Sequence, residues 1–388
     1  MKKIIRIVLV FIFAIGSFAV ILSCGNTDAQ EPHGGDIMLV DFENYAPDFS
    51  LCRISSDFGK VSVNTDKTFV KSGSRSARID PVGNGWMYFP TYSERYDFDY
   101  TDFTYVRCVR LEMYNPQEND KTVRVGLIAK INSIDLFDRA CEATFTLESG
   151  WNTIEYYVAP DIVCMTADIT DIQGISLSFE QCNAWDIDDT TPRYYVDDVK
   201  LVKSTVAHAT ESNIEFAPNE IIDFEKFYHN NFIINDFGIE MDIVKTADYG
   251  IATATGSRAL RVVIPKGNSG RWNYYVKIMA PFLQASALGK LSDEQFENGY
   301  FTWDSYNGAT AEYNCAGLFF VGSGTTSYAV GSYPKPSEWV THKVKLTDIE
   351  ANIPGWRGNV GMFVFSIKDS FSTDRELFLD NFRIEYSE

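Results

Sequence analysis

The chain has 388 residues, 53 of them acidic and 34 basic, for a formal charge of −19 at neutral pH. So acidic a surface repels nucleic acid and anionic membranes and leaves neutral molecules and cations as partners. Aromatic residues are 14% of the chain, a supply that suits pleated, half-buried sheet surfaces.

The N-terminus reads as separate from the fold. Lys2, Lys3 and Arg6 precede an apolar run over 7–22 that is short for a membrane span and has the flanks of an export signal. Loss of residues 1–23 removes those three basic groups and takes the charge from −19 to −22. The end Ile21-Leu22-Ser23-Cys24 resembles the lipobox of bacterial lipoproteins. That resemblance implies a lipid on Cys24 and a chain lipid-anchored to the membrane of the cell envelope, outside the cytoplasm. An uncleaved N-terminal anchor is the other reading, and it leaves the rest of the chain on the same side. Residues 24–35 are small and polar, as in a tether.

Beyond the tether nearly every segment reads as strand. Val123, Val125 and Leu127 recur at every second position, with Arg124 between the first two. Ile154, Tyr156 and Val158 alternate with polar neighbours, and so do Ile175, Leu177 and Phe179. Turn clusters such as Asn115-Pro116 and Ser149-Gly150 separate them. Only 284–298 has room for a short helix. The expectation is an all-β chain of two tandem β-sandwich (jelly-roll) domains, at 36–203 and 219–388, joined by a linker at 204–218.

The duplication is written in paired motifs. Asp41-Phe42-Glu43 opens one copy and Tyr195-Val196-Asp197-Asp198-Val199 closes it; Asp223-Phe224-Glu225 and Phe378-Leu379-Asp380-Asn381-Phe382 do the same for the other. The closing Asp lies 156 residues after the opening Asp in the first copy (197 − 41) and 157 in the second (380 − 223). Ser72-Gly73-Ser74-Arg75 parallels Gly256-Ser257-Arg258, and Gly150-Trp151-Asn152 falls where the second copy has Glu338-Trp339-Val340. A period this long means tandem domains and excludes a solenoid.

Strand alternation places Asp197 on one face with Tyr195, Val199 and Leu201, and Asp380 with Phe378, Phe382 and Ile384. A carboxylate in phase with core residues needs a partner. Calcium is one, with Glu43 and Glu225 completing the two sites alongside Asp197 and Asp380. Backbone N–H donors or an arginine are the alternative. The acidic turn 186–189 can be a second cation site or a solvated loop.

Cysteine usage is uneven: Cys52, Cys108, Cys141, Cys164 and Cys182 in the first copy against Cys315 in the second. No CxxC pair occurs, which disfavours a thiolate metal site. Disulfides and small buried hydrophobes remain equal readings.

Taken together, these motifs resemble the β-jelly-roll carbohydrate-binding modules of galactose-binding-like topology, which open on Asp-Phe-Glu, carry a small Ser-Gly-Ser turn and a Gly-Trp-Asn turn, and end in aromatic-x-Asp-Asp/Asn-hydrophobic. The resemblance covers both copies and implies a structural calcium at the opening and closing acids, glycan binding on a concave sheet or at loops, and no catalysis. An oligo- or polysaccharide is then the expected partner.

Sugar rings stack on aromatic faces, so the candidate ligand residues are Trp86, Tyr88, Tyr92 and Trp185 in the first copy and Trp272, Tyr274, Tyr275 and Trp356 in the second. Each can equally be a packing residue. The polar face Ser176, Ser178 and Glu180 can line a groove or face solvent. An enzyme is not expected. The four histidines, His33, His208, His229 and His342, have no metal-ligand spacing, and neither a nucleophile elbow nor a phosphate loop occurs. A protein-binding adhesive lipoprotein and a glycan-degrading β-sandwich are the alternatives.

Overall fold

The computed structural model describes residues 35–43, 53–54, 59–81, 86–94, 97–131, 136–179, 192–226, 233–235, 239–252, 256–264, 266, 274–308, 315–322, 326–332, 335–367 and 373–386. Cys24, Cys52, Glu180, Cys182, Trp185, the acidic turn 186–189, His229 and Trp272 lie outside these residues.

The first copy contributes β1 (Ile37–Val40), β2 (Arg53–Ile54), β3 (Gly59–Asn64), β4 (Ser76–Pro81), β5 (Trp86–Pro90), β6 (Tyr92–Ser93), β7 (Phe98–Asp99), β8 (Val106–Asn115), β9 (Lys121–Ile131), β10 (Leu136–Leu147), β11 (Gly150–Tyr157), β12 (Ala167–Phe179) and β13 (Tyr194–Lys203). One sheet has the order β11-β8-β13-β4-β3, with β1 also on β13; the sheet facing it has the order β10-β9-β12-β5-β2.

The second copy contributes β14 (Glu220–Ile222), β15 (Ile233–Asn235), β16 (Glu240–Lys245), β17 (Arg258–Ile264), β18 (Tyr274–Ile278), β19 (Tyr300–Asn307), β20 (Cys315–Val321), β21 (Ser327–Ser332), β22 (Trp339–Lys345), β23 (Val360–Ile367) and β24 (Arg375–Glu385). Its sheets run β22-β19-β24-β17-β16, with β14 on β24, and β21-β20-β23-β18-β15. The two strand orders are the same, strand for strand, and the chain is all-β with two tandem sandwiches.

The core of each sandwich is filled by the residues the alternation selects. Val123, Val125 and Leu127 of β9 meet Ile175 and Leu177 of β12 in one buried cluster, which also takes in Leu111, Ile154, Tyr156 and Val196. Phe301, Phe319 and Phe363 pack edge-on or stacked at 5.1 Å in the second sandwich. Burying one such ring stabilises by about 2 kcal/mol.

In the closing strand alternation fails, and it fails in both copies. Val196 faces the core, but so do Val199 and Leu201; Leu379 faces it, but so do Phe382 and Ile384. A bulge lies between, where Asp198 and Asn381 take left-handed φ values of 48° and 54°. Asp and Asn tolerate that conformation better than other side chains. The bulge switches the strand's faces. Asp197 and Asp380, expected to point at the core, point instead to the outer side of the sheet together with Tyr195 and Phe378. There a short 3₁₀ turn covers them. Phe69, in the turn Lys67–Phe69, stacks on Tyr195 at 4.2 Å, and Tyr249, in the turn Thr246–Tyr249, meets Phe378 edge-on at 5.5 Å.

The region expected to hold one short helix holds two, Ala280–Ala285 and Asp293–Asn298, separated by a 3₁₀ turn. Ser292 and Gln295 form a capping box on the second. Helices Pro160–Thr166 and Leu346–Asn352 are too short to show a period in sequence. Residues 204–218 carry no strand and lie against the first sandwich. Ser204 and His208 donate their N–H groups to Tyr105 and Thr104 carbonyls at 2.7 Å, and the His208 ring nitrogen lies 2.8 Å from the Val106 carbonyl. Phe216 then packs on Phe282 of the second copy at 5.7 Å. Among the described residues no helix is long and apolar enough to cross a membrane. Cys108, Cys141 and Cys315 are buried thiols and Cys164 is half-buried.

Candidate functional site

Two sites were expected, an acidic clasp and an aromatic ligand face. The clasp begins where β1 ends. Asp41 Oδ1 accepts the Glu43 N–H at 3.0 Å, and Phe42 between them has φ 61°. Asp223, Phe224 and Glu225 repeat the turn, with a 3.1 Å bond and φ 62°. For a buried phenylalanine this is a costly backbone state, fixed here by the Asx turn and by the ring's burial. The turn throws the Glu43 side chain onto the 71–75 loop. Its Oε1 accepts the N–H of Ser74 at 2.6 Å and of Arg75 at 2.7 Å, and its Oε2 accepts the Ser74 hydroxyl at 2.6 Å. These bonds, those of Ser74 first, hold the Glu43 carboxyl below its ordinary pKa. Glu225 takes Ser257 and Arg258 in the same way.

The last strand grips the other side of that loop. Asp197 Oδ2 accepts the N–H groups of Lys71 at 2.9 Å and Ser72 at 3.1 Å, and its Oδ1 accepts the Asp198 N–H at 2.9 Å. Asp198 accepts the Ser72 hydroxyl at 2.9 Å. In the second copy Asp380 Oδ1 accepts the Asn381 N–H at 2.7 Å, and Asn381 Nδ2 donates to Asp304 at 2.7 Å. Asp380 Oδ2 has no hydrogen-bond partner among the described residues. Burial, with Asp304, Asp223 and Glu225 nearby, pushes the Asp380 carboxyl up to about 8.

In the first copy these placements do not favour the expected calcium ion. Every carboxylate oxygen of Glu43 and Asp197 already faces an N–H or O–H donor, and a cation would have to displace those donors. Among the described residues no three His, Cys, Asp or Glu side chains converge as a cage. Glu43, Asp197 and Glu225 hold their loops as a hydrogen-bonded clasp, the alternative the sequence left open, whereas Asp380 accepts the N–H of the next residue along its own strand.

The candidate ligand face is the outer side of the sheet β10-β9-β12-β5-β2. With Met87, Phe89, Ile175, Leu177, Val123 and Val125 turned to the core, their alternate neighbours share the opposite face. The register sets them in two rows. Trp86 lies opposite Ser178, Ser178 opposite Arg124, and Arg124 opposite Thr144. Beside that row, Tyr88 lies opposite Ser176, Ser176 opposite Gly126, and Gly126 opposite Glu142. The Trp86 and Tyr88 rings stack at 5.8 Å with 19° between planes. Arg124, Glu142, Ser176 and Ser178 are only 6%, 3%, 1% and 7% exposed. Gly126 has no side chain because Glu142 and Ser176 occupy its space: a Cβ there would sit 2.6 Å from Glu142 Cγ and 2.9 Å from Ser176 Oγ. The Ser176 and Ser178 hydroxyls have no hydrogen-bond partner among the described residues. Burying a hydroxyl without one costs about 1–3 kcal/mol, so both serines call for a polar neighbour.

Of the expected ligand residues, Trp86 and Tyr88 stand on this face. Tyr92 is on the separate β6–β7 ribbon, 44% exposed, with its hydroxyl on Glu94 at 3.0 Å. Trp356 is a core residue, 1% exposed and edge-on to Phe319, because the turn after helix Leu346–Asn352 folds it inward. Tyr274 and Tyr275 lie on β18, where the backbone alone is described. Trp185 and Trp272 fall outside the described residues. Arg124 and Glu142 were not singled out from sequence. Their signal was there: a charged residue between buried apolar neighbours, on strands apolar enough to be central.

No family profile and no curated protein matches the chain. Among solved structures it is similar to the N-terminal CBM22-1–CBM22-2 tandem domain of Xyn10C from Paenibacillus barcinonensis. Identity there is 11% and the TM-score 0.30, over 92% of this chain and 100% of that one. It is similar also to a family 11 carbohydrate-binding module from Clostridium thermocellum, in complex with a β-1,3-1,4-mixed-linked tetrasaccharide. That match has 16% identity and a TM-score of 0.31, over 45% of this chain and 98% of that one. An exo-β-agarase matches at 10% identity and TM-score 0.33, over 44% of this chain and 26% of its own.

Proposed function

We propose that the chain is a non-catalytic glycan-binding protein, held in the cell envelope by a lipid on Cys24. It takes a neutral oligo- or polysaccharide on the outer face of β10-β9-β12-β5-β2. The observation that supports this reading is the juxtaposition on that face: a stacked Trp86–Tyr88 platform beside buried Ser176 and Ser178 hydroxyls that lack partners among the described residues. Aromatic faces take the C–H face of a sugar ring, and the serines with Arg124 and Glu142 take its hydroxyls. The formal charge of −19 favours a neutral glycan over an anionic one.

A non-catalytic role is part of the same proposal. Glycoside hydrolysis uses two carboxylates flanking the bond, and Glu142 is the one carboxylate in the described rows.

The test is affinity electrophoresis of the full chain through gels holding arabinoxylan, mixed-linkage β-glucan or galactomannan, with a reducing-end assay on the same polymers. Retardation in at least one gel without release of reducing ends is expected. Free migration in all of them, or release of reducing ends, sinks the reading.

A further inference from the structure

We infer that each chain holds one glycan and not two, because among the described residues only the first sandwich carries the groove; the inference rests on the binding reading above. The two sandwiches share their strand order, so their faces can be compared row by row. Where the first has Trp86, Ser178, Arg124 and Thr144, the register of the second gives Tyr274, Ser366, Ala316 and Gly331. Where the first has Tyr88, Ser176, Gly126 and Glu142, the second gives Lys277, Val364, Leu318 and Ala329.

The floor has changed chemistry. Both charged groups, Arg124 and Glu142, have become alanines. Ser176 has become valine, and the space over Gly126 is filled by leucine. Ala316, Leu318, Phe320 and Val364 are 1%, 1%, 6% and 0% exposed and pack on one another, with Met362 against them, as a second apolar cluster apart from the main core. A sugar laid over Ala316, Leu318 and Val364 would give up water on its hydroxyls without the partners that Arg124, Glu142 and Ser176 offer in the first copy. Elsewhere in the second copy, a cleft of about 610 Å³ lies between Tyr300, Lys343, Glu385 and Tyr386. There Lys343 is already committed, 2.8 Å from Glu385 and 4.3 Å from the centre of the Tyr300 ring.

Isothermal titration of the full chain with β-1,4-linked hexasaccharides of glucose, xylose, mannose and galactose tests this. The expected result is one hexasaccharide per chain for whichever sugar binds. Trp86→Ala should weaken it tenfold or more, and Ser178→Ala, a smaller change that guards against misfolding, severalfold. Ser366→Ala in the second sandwich should stay within twofold of wild type. A stoichiometry of two overturns the inference and leaves the binding reading standing. A Trp86→Ala chain that melts like wild type and still binds one hexasaccharide with undiminished affinity overturns the inference and also takes the glycan off the Trp86 face. No heat from any of the four sugars removes the binding reading, and the inference with it.

Discussion

Glu43 accepts both the backbone N–H and the hydroxyl of Ser74 at 2.6 Å, so the end of the first strand is tied to a loop 31 residues away. Asp197, from the last strand, holds the same loop two and three residues earlier, at Lys71 and Ser72. First strand, last strand and loop are closed into one unit, and Glu225 makes the same tie to Ser257 in the second copy.

The glycines inside these loops follow from that tie. Gly73 has φ 66°, and a Cβ there would lie 2.6 Å from Glu43 Oε1; Gly256, at φ 64°, would press on Glu225 Oε1. Gly73→Ala should lower unfolding free energy by about 1–2 kcal/mol from the left-handed backbone alone. It should lose more as Glu43 swings away from its donors. Urea midpoints measure this, and a midpoint equal to wild type would contradict the clasp.

Asp198 offers a companion test of the bulge. Asp198→Asn keeps a side chain suited to φ 48° and an acceptor for the Ser72 hydroxyl, so it should cost little. Asp198→Val is β-branched and has no acceptor. It should cost about 2 kcal/mol or more, read from the same urea midpoints.

Asp380 gives the second sandwich a pH dependence of definite sign. Its pKa is pushed up to about 8, so on raising the pH the unfolded chain releases this proton first. The stability it contributes is complete below the ordinary carboxylate range, drains away as pH rises from about 4 to 8, and changes no further above that. Asp380→Asn should therefore be more stable than wild type at pH 8, by at least about 1 kcal/mol, with the advantage shrinking toward pH 4. Melting curves in chelator across that range check it.

The same melts bear on calcium. With the Glu43 and Asp197 oxygens all facing donors, chelator should leave the melting temperature at pH 7 unchanged. A fall of several degrees, reversed by calcium, would put a cation among these carboxylates and displace the hydrogen bonds.

Much of this was legible in the chain. The duplicated Asp-Phe-Glu openings and the period-two strands carried the tandem sandwich, because each records one repeated physical constraint. The facing of Asp197 and Asp380 was misread because a single left-handed residue inverts every later position of a strand, and alternation alone does not register it. Asp198 and Asn381, residues that accept that conformation, were its visible trace. Trp356 shows the complementary difficulty: a lone tryptophan has no period, so nothing local distinguishes core from ligand face. Arg124 and Glu142 are found only when the register sets β9 beside β10 and β12.

The most direct test of the account follows the indole N–H signals of the full chain by NMR as mixed-linkage β-glucan, arabinoxylan and galactomannan oligosaccharides are added. Trp86 is assigned by its loss in Trp86→Phe, and Trp356, buried in the second sandwich, serves as the internal reference. The account predicts that at least one sugar shifts the Trp86 signal saturably while Trp356 stays fixed. A bound sugar that moves Trp356 and leaves Trp86 in place would contradict it.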